Sequence, residues 1–319
     1  MIFGSSWDLY KFSFSDVYDM QNVQYIPLPY SGIRKYVLAI FKRLRQYFPK
    51  VSIWTKIWIN LFPIKKFFES KPLCFVYLWG YLIDINTTQL IDCLKKKYKD
   101  SKHILFNTDL YATRKSAYTA ANAKQDFDLV LSFDPGDCEK YKFFYHPLVF
   151  SKYKSNNLSI KYDVVFIGQG KNRLKEIYSA YDILITNGLK VKFILIKIAE
   201  KDRRKEDSFE YVDTIPYLDN LKYIEQSKCV LEIMQKGGTG YTQRGCEVVG
   251  LNKKLLTNNC YIKNAPFYNE KYISVFDAIE NIDLLFIDNL KRDEKVEYGD
   301  EQRENMSPKE LLRFVEKKL

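Results

Sequence analysis

The sequence predicts an α/β protein made of two Rossmann-like domains, each with a parallel sheet, that face each other across a cleft. Apolar runs of strand length alternate with helical patterns along the chain, which is typical of βαβ units. The alternation is interrupted once, by a Ser- and Asn-rich stretch at 151–160, and then restarts. A chain of 319 residues is also too long for one ordinary domain and long enough for two.

We therefore expect an N-terminal domain at 1–155, a second domain at 156–300, and a C-terminal helix at 301–319 that is a candidate to pack back on the N-terminal domain. In the first domain, strands are predicted at Leu73–Trp79, His103–Asn107, Leu129–Phe133 and Phe143–Tyr145, with helices at Thr88–Tyr98 and Arg114–Lys124. In the second domain, strands are predicted at Tyr162–Ile167, Val191–Lys197, Cys229–Met234, Lys254–Thr257 and Ile273–Phe276, with helices at Arg173–Thr186, Tyr217–Gln226 and Thr242–Val249.

The remaining segments of the second half are charged. Glu200–Asp207 is predicted to be a loop, and Lys291–Asn305 a loop or an irregular helix. Ser307, Pro308 and Glu310 then follow the order of an N-cap, a first-turn proline and a capping-box acid. A final helix is therefore expected to begin there.

Composition points to a protein with anionic partners. Hydrophobic residues make up 46% of the chain, enough for each half to bury a core, and the formal net charge is +11. Such a charge suits phosphorylated ligands, acidic lipid head groups or nucleic acid. The sequence carries no helix-turn-helix, zinc-finger or aromatic RNA-binding signature, so we expect no nucleic-acid partner.

The six cysteines and the apolar runs indicate a soluble cytoplasmic protein. The cysteines lie far apart, without the spacing of a zinc site or a redox motif, as expected of reduced thiols. The best apolar run, Leu73–Ile83, is about half as long as a membrane span, and the N-terminus lacks the pattern of a signal peptide.

A basic, aromatic segment, Ile33–Phe68, suits the surface of a membrane. Helical spacing puts Tyr36, Ile40 and Leu44 on one side, with lysines and arginines over the rest. Anionic lipids attract such a helix, so the protein is a candidate for peripheral attachment to the inner face of the plasma membrane. The alternative is a domain helix with a solvated basic side.

The most informative stretch is the glycine-rich run Gly237–Glu247. It follows a predicted strand, contains four glycines and leads into a predicted helix. A strand, a glycine turn and a helix start present backbone N–H groups to a phosphate. The run also carries Arg244, and Glu247 follows about one helical turn later. The alternative is a flexible surface loop.

A second glycine turn follows the first strand of the second domain. Gly168 and Gly170 begin like a dinucleotide fingerprint, but Arg173 replaces its third glycine. The next strand ends in Lys197, where a ribose-binding acid would be needed, so we expect no nicotinamide or flavin. Lys171 and Arg173 instead suit a phosphate held by charge, unless this is a plain βα turn. Both glycine turns follow strands of one predicted sheet, so their groups can converge.

At these residues the sequence resembles GT-B glycosyltransferases, and most of all the bacterial enzymes that build lipopolysaccharide, capsule or exopolysaccharide. The segments that carry the resemblance are Asp163–Gly168, Glu232–Gly250 and Lys254–Asn258 in the second domain and Phe127–Asp137 and Tyr145–Phe150 in the first. The resemblance implies transfer of a sugar from a nucleotide-sugar donor to a glycan or lipid-linked acceptor, without a metal or another cofactor.

The resemblance also assigns roles to residues. Glu247 stands where the family has the glutamate that hydrogen-bonds the ribose. The positions that it assigns to the diphosphate are Gly238, Thr239, Gly240 and Arg244 in one loop and Gly168, Gly170 and Arg173 in the other. Thr239 stands where the commoner family pattern has a second glutamate, so the contacts to the sugar are left open.

An inverting transferase needs a general base for the acceptor hydroxyl. We expect it on a loop of the first domain, with Asp109 as the first candidate and Asp134 and Asp137 next. Each of these is alternatively a loop or helix N-cap. His146 is more typical of a packed or capping residue. The run Asp126–Asp128 opens a strand, which is the wrong end of a parallel sheet for a ligand-bound metal.

Two other functions remain open at this point. The chain is alternatively a non-catalytic module that binds a phosphorylated ligand or a membrane and scaffolds a biosynthetic complex. A nucleotide-sugar epimerase is a third possibility, and it would need one pocket that bridges both phosphate loops and a base near the anomeric carbon.

Overall fold

The structure is a computed structural model. It describes residues 1–5, 7–28, 72–78, 85–111, 119–235 and 237–319, together with positions 36, 37, 39, 40, 43, 44 and 47. The expectations for the basic segment Ile33–Phe68 and for the first part of the helix Arg114–Lys124 therefore fall largely outside the described residues. The described chain forms two compact units, Met1–Pro147 with Pro308–Leu319, and Leu148–Ser307.

The first unit is a parallel α/β sheet. Its strands are β1 (Ile2–Ser5), β2 (Tyr25–Leu28), β3 (Cys74–Leu78), β4 (Lys102–Asn107), β5 (Leu129–Ser132) and β6 (Phe144–Tyr145). Its helices are α1 (Asp8–Ser13), α2 (Ile85–Lys97), α3 (Ala120–Asp126) and α4 (Pro135–Tyr141). The sheet order is β2-β1-β3-β4-β5-β6, and every pairing is parallel.

The first-unit core explains why these strands form. Phe3 of β1 stacks against Phe75 and Tyr77 of β3, with ring centroids 5.9 and 5.1 Å away, and all three side chains are buried. Both β1 and β2 were missed by the sequence analysis. A strand of four residues at the very start of the chain is too short to display a period, so only its sheet partners reveal it.

The second unit is a six-stranded parallel sheet of its own. Its strands are β7 (Tyr162–Gln169), β8 (Val191–Ile196), β9 (Phe209–Val212), β10 (Ser227–Glu232), β11 (Lys254–Thr257) and β12 (Ile273–Val275). Its helices are α5 (Leu174–Thr186), α6 (Tyr217–Glu225), α7 (Gln243–Leu251), α8 (Leu284–Asn289) and α9 (Asp300–Glu304). The charged loop predicted at Glu200–Asp207 contains one short 3-10 turn, Glu200–Asp202, and leads into the half-buried strand β9, which was not predicted.

The strand order of the second sheet is β12-β11-β10-β7-β8-β9. The chain therefore builds outward from β7 through β8 to β9, crosses back, and builds in the other direction from β10 through β11 to β12. The order reverses between β7 and β10, and in open parallel sheets ligands bind at such a point, beyond the carboxyl ends of the strands.

The last helix, α10 (Pro308–Lys318), belongs to the first unit. Its Phe314 packs edge-on against the ring of His146, 5.3 Å away between centroids, and Phe106 of β4 contacts the same ring at 5.6 Å. His146 is thus a packed residue of this core, which agrees with the interpretation of it as a packed or capping side chain. In the described part of the chain no helix has both the length and the apolar character needed to cross a bilayer.

Candidate functional site at the switch point of the second sheet

The two predicted phosphate loops leave neighbouring strands. The turn with Gly168 and Gly170 ends β7, and the run Gly237–Glu247 follows β10, which pairs with β7 in parallel. Both loops therefore emerge side by side at the point where the strand order reverses. The sequence predicted that they share a sheet, but their adjacency comes from the β7–β10 crossover.

Strands β7 and β10 separate before they end. Their pairing stops at Val165 and Val230, whereas β7 stays paired with β8 as far as Gln169 and β10 stays paired with β11 as far as Glu232. Backbone carbonyls beyond this point need other donors, because buried carbonyls without partners are costly.

Two arginines supply those donors. Arg244 donates from Nη2 to the carbonyl of Ile167 at 2.7 Å. Arg173 donates to the carbonyl of Gln169 at 3.3 Å from both Nε and Nη2, and from Nη1 to the carbonyl of Ile233. Burial lowers the pKa of the Arg173 guanidinium. The planar guanidinium of Arg173 thus bridges β7 and the end of β10 where the two strands separate. Sequence analysis did not assign this role to it.

Arg244 also belongs to a buried cluster around Glu247. Its Nη1 donates to Oε2 of Glu247 and, at 3.1 Å, to Oδ1 of Asn220. The other carboxylate oxygen of Glu247 accepts from the Tyr217 hydroxyl at 2.9 Å and from Nδ2 of Asn220 at 3.3 Å. Burial raises the pKa of Tyr217 well above its ordinary value, and the neighbouring Glu247 carboxylate adds to the shift.

This cluster fixes Glu247 in one orientation. The side chain of Glu247 is 2% exposed, and that of Arg244 is 20% exposed. A carboxylate has about four lone-pair positions, so three protein donors leave capacity for one more. The ribose contact expected of Glu247 stays a prediction. Tyr217 and Asn220 were not singled out from the sequence, since they lie on α6, far from the glycine run along the chain.

The glycine run becomes more buried along its length. Gly237 is exposed and has φ +102°, a conformation that favours glycine, while Gly238 and Thr239 are half-buried. Gly240 is buried, and its carbonyl accepts from Nδ2 of Asn259 at 3.1 Å. The first half of the run therefore lies at or near the surface, and the second half is anchored in the unit.

Helix α7 begins directly after this anchored half. Its N-cap is Thr242, whose hydroxyl accepts from the backbone N–H of Arg244 at 3.1 Å. The hydroxyl proton of Thr242 is donated to Glu232, at the end of β10. Glu232 is a buried carboxylate that sequence analysis assigned to no role, although an acid at the end of an apolar strand is a visible signal.

Lys171 is a cation of this region that faces solvent. It is exposed, has φ +44°, and donates from Nζ to Oε1 of Gln235 at 3.2 Å. This bond joins the loop after β7 to the loop after β10. A Cβ added at Gly168 would lie 3.2 Å from Cζ of Phe166, which is a tight contact, so this position favours glycine.

The three carboxylates predicted as bases belong to the first unit. Asp134 is the N-cap of α4 and accepts from the N–H of Asp137 at 3.0 Å. Asp137 accepts from the N–H of Tyr111 at 2.6 Å, and both side chains are buried. These two carboxylates therefore hold the start of α4. Asp109, two residues beyond β4, is exposed and accepts from the N–H of Leu110 at 3.0 Å.

The Asp126–Asp128 run lies at the amino-terminal end of β5, as predicted. Asp128 accepts there from the N–H of His103 at 2.8 Å. Among the residues that the structure describes, no group of three or more His, Cys, Asp or Glu side chains is arranged to hold a metal ion. Metal independence stays a prediction.

Comparison with known proteins gives similarity in fold. No family model and no curated protein sequence matches the chain. An α-glucosyltransferase solved with UDP and a 13-mer DNA containing a HMU base is 10% identical, with a TM-score of 0.53 over 77% of this chain and 79% of that one. A DNA-modifying β-glucosyltransferase, solved with and without uridine diphosphoglucose, is 14% identical, with a TM-score of 0.42 over 78% of each chain. Starch synthase IV from Arabidopsis thaliana, bound to ADP and acarbose, is 8% identical in its catalytic domain, with a TM-score of 0.48 over 78% of this chain and 72% of that one.

The two parallel six-stranded sheets and the likeness to the α-glucosyltransferase show that the chain has the α/β architecture of GT-B glycosyltransferases, as the sequence predicted. At 10% identity the likeness shows the fold and does not extend to a substrate.

Proposed function

We propose that this protein is a metal-independent GT-B glycosyltransferase that moves a sugar from a nucleotide-sugar donor to a glycan or lipid-linked acceptor in bacterial surface polysaccharide synthesis. The observation that carries the proposal is the pair of glycine loops at the switch point of the second sheet, with Lys171, Arg173, Arg244 and Glu247 around them. A fold of this kind binds its ligand at that point.

In the proposed complex, the diphosphate of the donor lies over the exposed half of the glycine run. N–H groups of Gly238 and Thr239, the N-terminal end of α7 and the ammonium of Lys171 would stabilise its negative charge. The N–H groups of Arg173 and Arg244 that are described above pair with protein oxygens. These two side chains would therefore stabilise the diphosphate through their positive charge and not through direct hydrogen bonds. Glu247 would accept from a ribose hydroxyl.

The reaction itself exchanges one C–O bond for another. The acceptor hydroxyl attacks the anomeric carbon, and the bond from that carbon to the diphosphate breaks with its electron pair going to the leaving oxygen. A base in the first unit takes the hydroxyl proton. Asp109 remains our first candidate because it is exposed beyond β4, whereas Asp134 and Asp137 hold a helix start. A general base works best when its pKa is close to the pH at which the enzyme operates.

The first test is the response of the melting temperature to UDP, GDP, CMP and dTDP, because a ligand that binds only the native state raises its stability. We expect one nucleotide to raise it and the Glu247→Gln variant to lose at least about tenfold in affinity for that nucleotide. Glu225→Gln, at another buried glutamate of the same unit, is the matched control and should bind like the wild type.

Turnover then separates the remaining alternatives. With the responding nucleotide-sugar, we expect transfer to a lipid-linked oligosaccharide in anionic vesicles. Duplex DNA with a hydroxymethylated pyrimidine tests the expectation that the protein has no nucleic-acid partner, and transfer to it would overturn the proposed acceptor. An epimerised free nucleotide-sugar would indicate the epimerase. If a folded Glu247→Gln variant neither binds nucleotide nor transfers sugar and still supports the biosynthetic complex like the wild type, the protein is a scaffold.

A further inference from the structure

Glu232 is buried where β10 ends, with 5% of its surface exposed, and its two oxygens bind two threonine hydroxyls. Oε1 accepts the hydroxyl proton of Thr242, and Oε2 accepts that of Thr257 at 2.6 Å. Thr242 precedes α7, and Thr257 is the last residue of β11. One carboxylate at the end of β10 thus binds both the start of α7 and the end of β11.

The direction of these hydrogen bonds matters. A hydroxyl has one proton, so a threonine that donates to Glu232 must use its oxygen lone pairs as acceptors for its other partners. Thr242 accepts from the N–H of Arg244 at 3.1 Å, and Thr257 accepts from the N–H of Asn259 at 2.9 Å. The carboxylate therefore fixes both hydroxyls in the orientation that receives these backbone groups.

The second hydroxyl acts on the glycine run itself. Asn259, held by Thr257, donates from Nδ2 to the carbonyl of Gly240 at 3.1 Å. The first hydroxyl holds the N-terminus of α7, two residues after Gly240. The anchored half of the glycine run is thus held from both sides. Both sets of hydrogen bonds depend on a hydroxyl that Glu232 orients.

We propose that Glu232 is a positioning residue of the donor site, which holds the glycine loop in the shape that receives the diphosphate by accepting hydrogen bonds from the hydroxyls of Thr242 and Thr257. The role in binding rests on the proposed function, whereas the hold on the loop does not. Burial of a carboxylate is costly, and a threonine caps a helix without one, so stability alone does not account for an acid here. Burial raises the pKa of Glu232, while the charges of Arg244 and Arg173 oppose that shift.

The decisive variant is Glu232→Gln, which keeps the shape of the side chain but replaces one acceptor oxygen by an amide donor. One of the two hydroxyls must then accept from this amide and turn its own proton away from residue 232, which weakens its bond to the backbone N–H that it now receives. We expect hydrogen exchange of the amides at 237–244 to become about tenfold faster. The melting temperature should not fall by a matching amount, because the variant also removes a buried charge. Affinity for the responding nucleotide should fall about tenfold, with kcat less affected than KM.

Glu225→Gln is the matched control. Glu225 is also buried in this unit and also accepts from side chains, namely Tyr153 at 3.0 Å, Ser155 at 2.5 Å and Asn156 at 3.1 Å. It contacts the segment before β7 and not the glycine run, so exchange at 237–244 should stay at the wild-type rate. Equal acceleration in both variants would mean general destabilisation and would overturn the proposal, as would wild-type exchange in Glu232→Gln.

A second pair of variants keeps the proposal testable if Glu232→Gln does not fold. Thr242→Ser retains the hydroxyl and should behave like the wild type, whereas Thr242→Val should reproduce the faster exchange of the loop. The reverse order would overturn the proposal. Hydrogen exchange needs no ligand, so failure of the wild type to bind any nucleotide would count against the proposed function and leave the result on Glu232 in force.

Discussion

Lys171 and Arg173 belong to the same turn, yet their surroundings differ. The Arg173 side chain is turned into the gap between β7 and β10, where carbonyls of Gln169 and Ile233 accept its N–H groups. Lys171 is exposed and is held by Gln235 from the neighbouring loop. Its φ of +44° is unfavourable for any residue with a Cβ. Backbone strain of this kind at a loop that faces solvent is often associated with function.

Substitution Lys171→Gly tests this difference. Glycine adopts a positive φ without penalty, so the free energy of unfolding should hold or rise by up to about 1 kcal/mol. Loss of the ammonium should nevertheless weaken binding of the responding nucleotide by about tenfold. Denaturant titration and nucleotide titration of the same preparation measure both effects. Lys175→Gln, which removes an exposed charge on α5, is the control and should change neither. A Lys171→Gly variant that binds like the wild type would remove Lys171 from the site.

The residue types of the site were visible in the sequence, but their orientations were not. Glycines beside Arg173, Arg244 and Glu247 indicated two loops that the structure places after neighbouring strands, whereas their role as a diphosphate site stays a prediction. That both arginines pair with carbonyls of β7 depends on the early separation of β7 from β10, which only the strand order reveals. Glu232 acquires one of its two partners, Thr257, through β11, a strand about twenty residues later in the chain.

At the scale of elements, the amino-terminal edge of the second sheet is rich in cations. A cavity of about 540 Å³ lies there, and it is lined by seven cations, Lys161, Lys190, Lys228, Lys253, Lys254, Arg292 and Lys295. Three carboxylates, Asp163, Asp293 and Glu294, also line it and pair with Lys228 and Lys254. In a βα sheet the helices end at this edge, so their unpaired carbonyls collect there. Lys253 donates to the carbonyl of Glu225, the last residue of α6, at 2.6 Å, and Lys228 donates to the carbonyl of Leu290, just after α8, at 2.9 Å. These lysines complement helix ends.

Lys253 should make the stability of the second unit depend on alkaline pH. Burial lowers its pKa to about 8 from 10.5, so the folded state loses this proton first. The cost of burying the charge is present below pH 8 and disappears as the pH rises from 8 towards 10.5. Relative to Lys253→Met, the wild type should therefore gain roughly 1–2 kcal/mol of unfolding free energy between pH 7.5 and pH 9.5.

Urea titrations of both proteins at the two pH values measure this gain. The comparison with the variant is essential, because buried cysteines titrate in the opposite sense. Burial raises the pKa of Cys229 and of Cys246, for example, which costs the second unit stability as the pH rises through 9. A difference between the two proteins that is independent of pH would show that Lys253 keeps an ordinary pKa.

At the scale of the whole molecule, the second unit lacks two kinds of side chain. Both histidines, His103 and His146, lie in the first unit, and all four tryptophans of the sequence, Trp7, Trp54, Trp58 and Trp79, precede residue 148, where the second unit begins. Tryptophan fluorescence therefore reports on no residue of the second unit, whereas far-UV circular dichroism reports on both units. The two signals together can follow the units separately in one full-length protein.

The histidines should make the first unit the acid-sensitive one. His103 is stacked on Phe75 and bonded to Tyr77 and Ser101 through its two ring nitrogens, at 2.9 Å each. Burial lowers the pKa of His103 to about 4, despite the opposing charge of Asp128, and it also lowers the pKa of His146 to about 4. Both rings are neutral in the folded state, so their stabilising contribution is complete above pH 6.5 and is lost as the pH falls from 6.5 towards 4.

Each histidine should cost the first unit about 2 kcal/mol between pH 7 and pH 5, because the unfolded chain takes up a proton that the folded core rejects. The second unit contains no histidine. Because the pKa of its buried Glu232 is raised, protonation of this residue stabilises the folded state as the pH falls. On acid titration the fluorescence transition should therefore precede the loss of circular dichroism. The variant His146→Phe keeps an aromatic ring between Phe106 and Phe314. Its fluorescence midpoint should move to lower pH and so lie closer to the circular dichroism midpoint. Coincident transitions in the wild type, unmoved by the substitution, would mean that the two rings are not the acid-labile part of this fold.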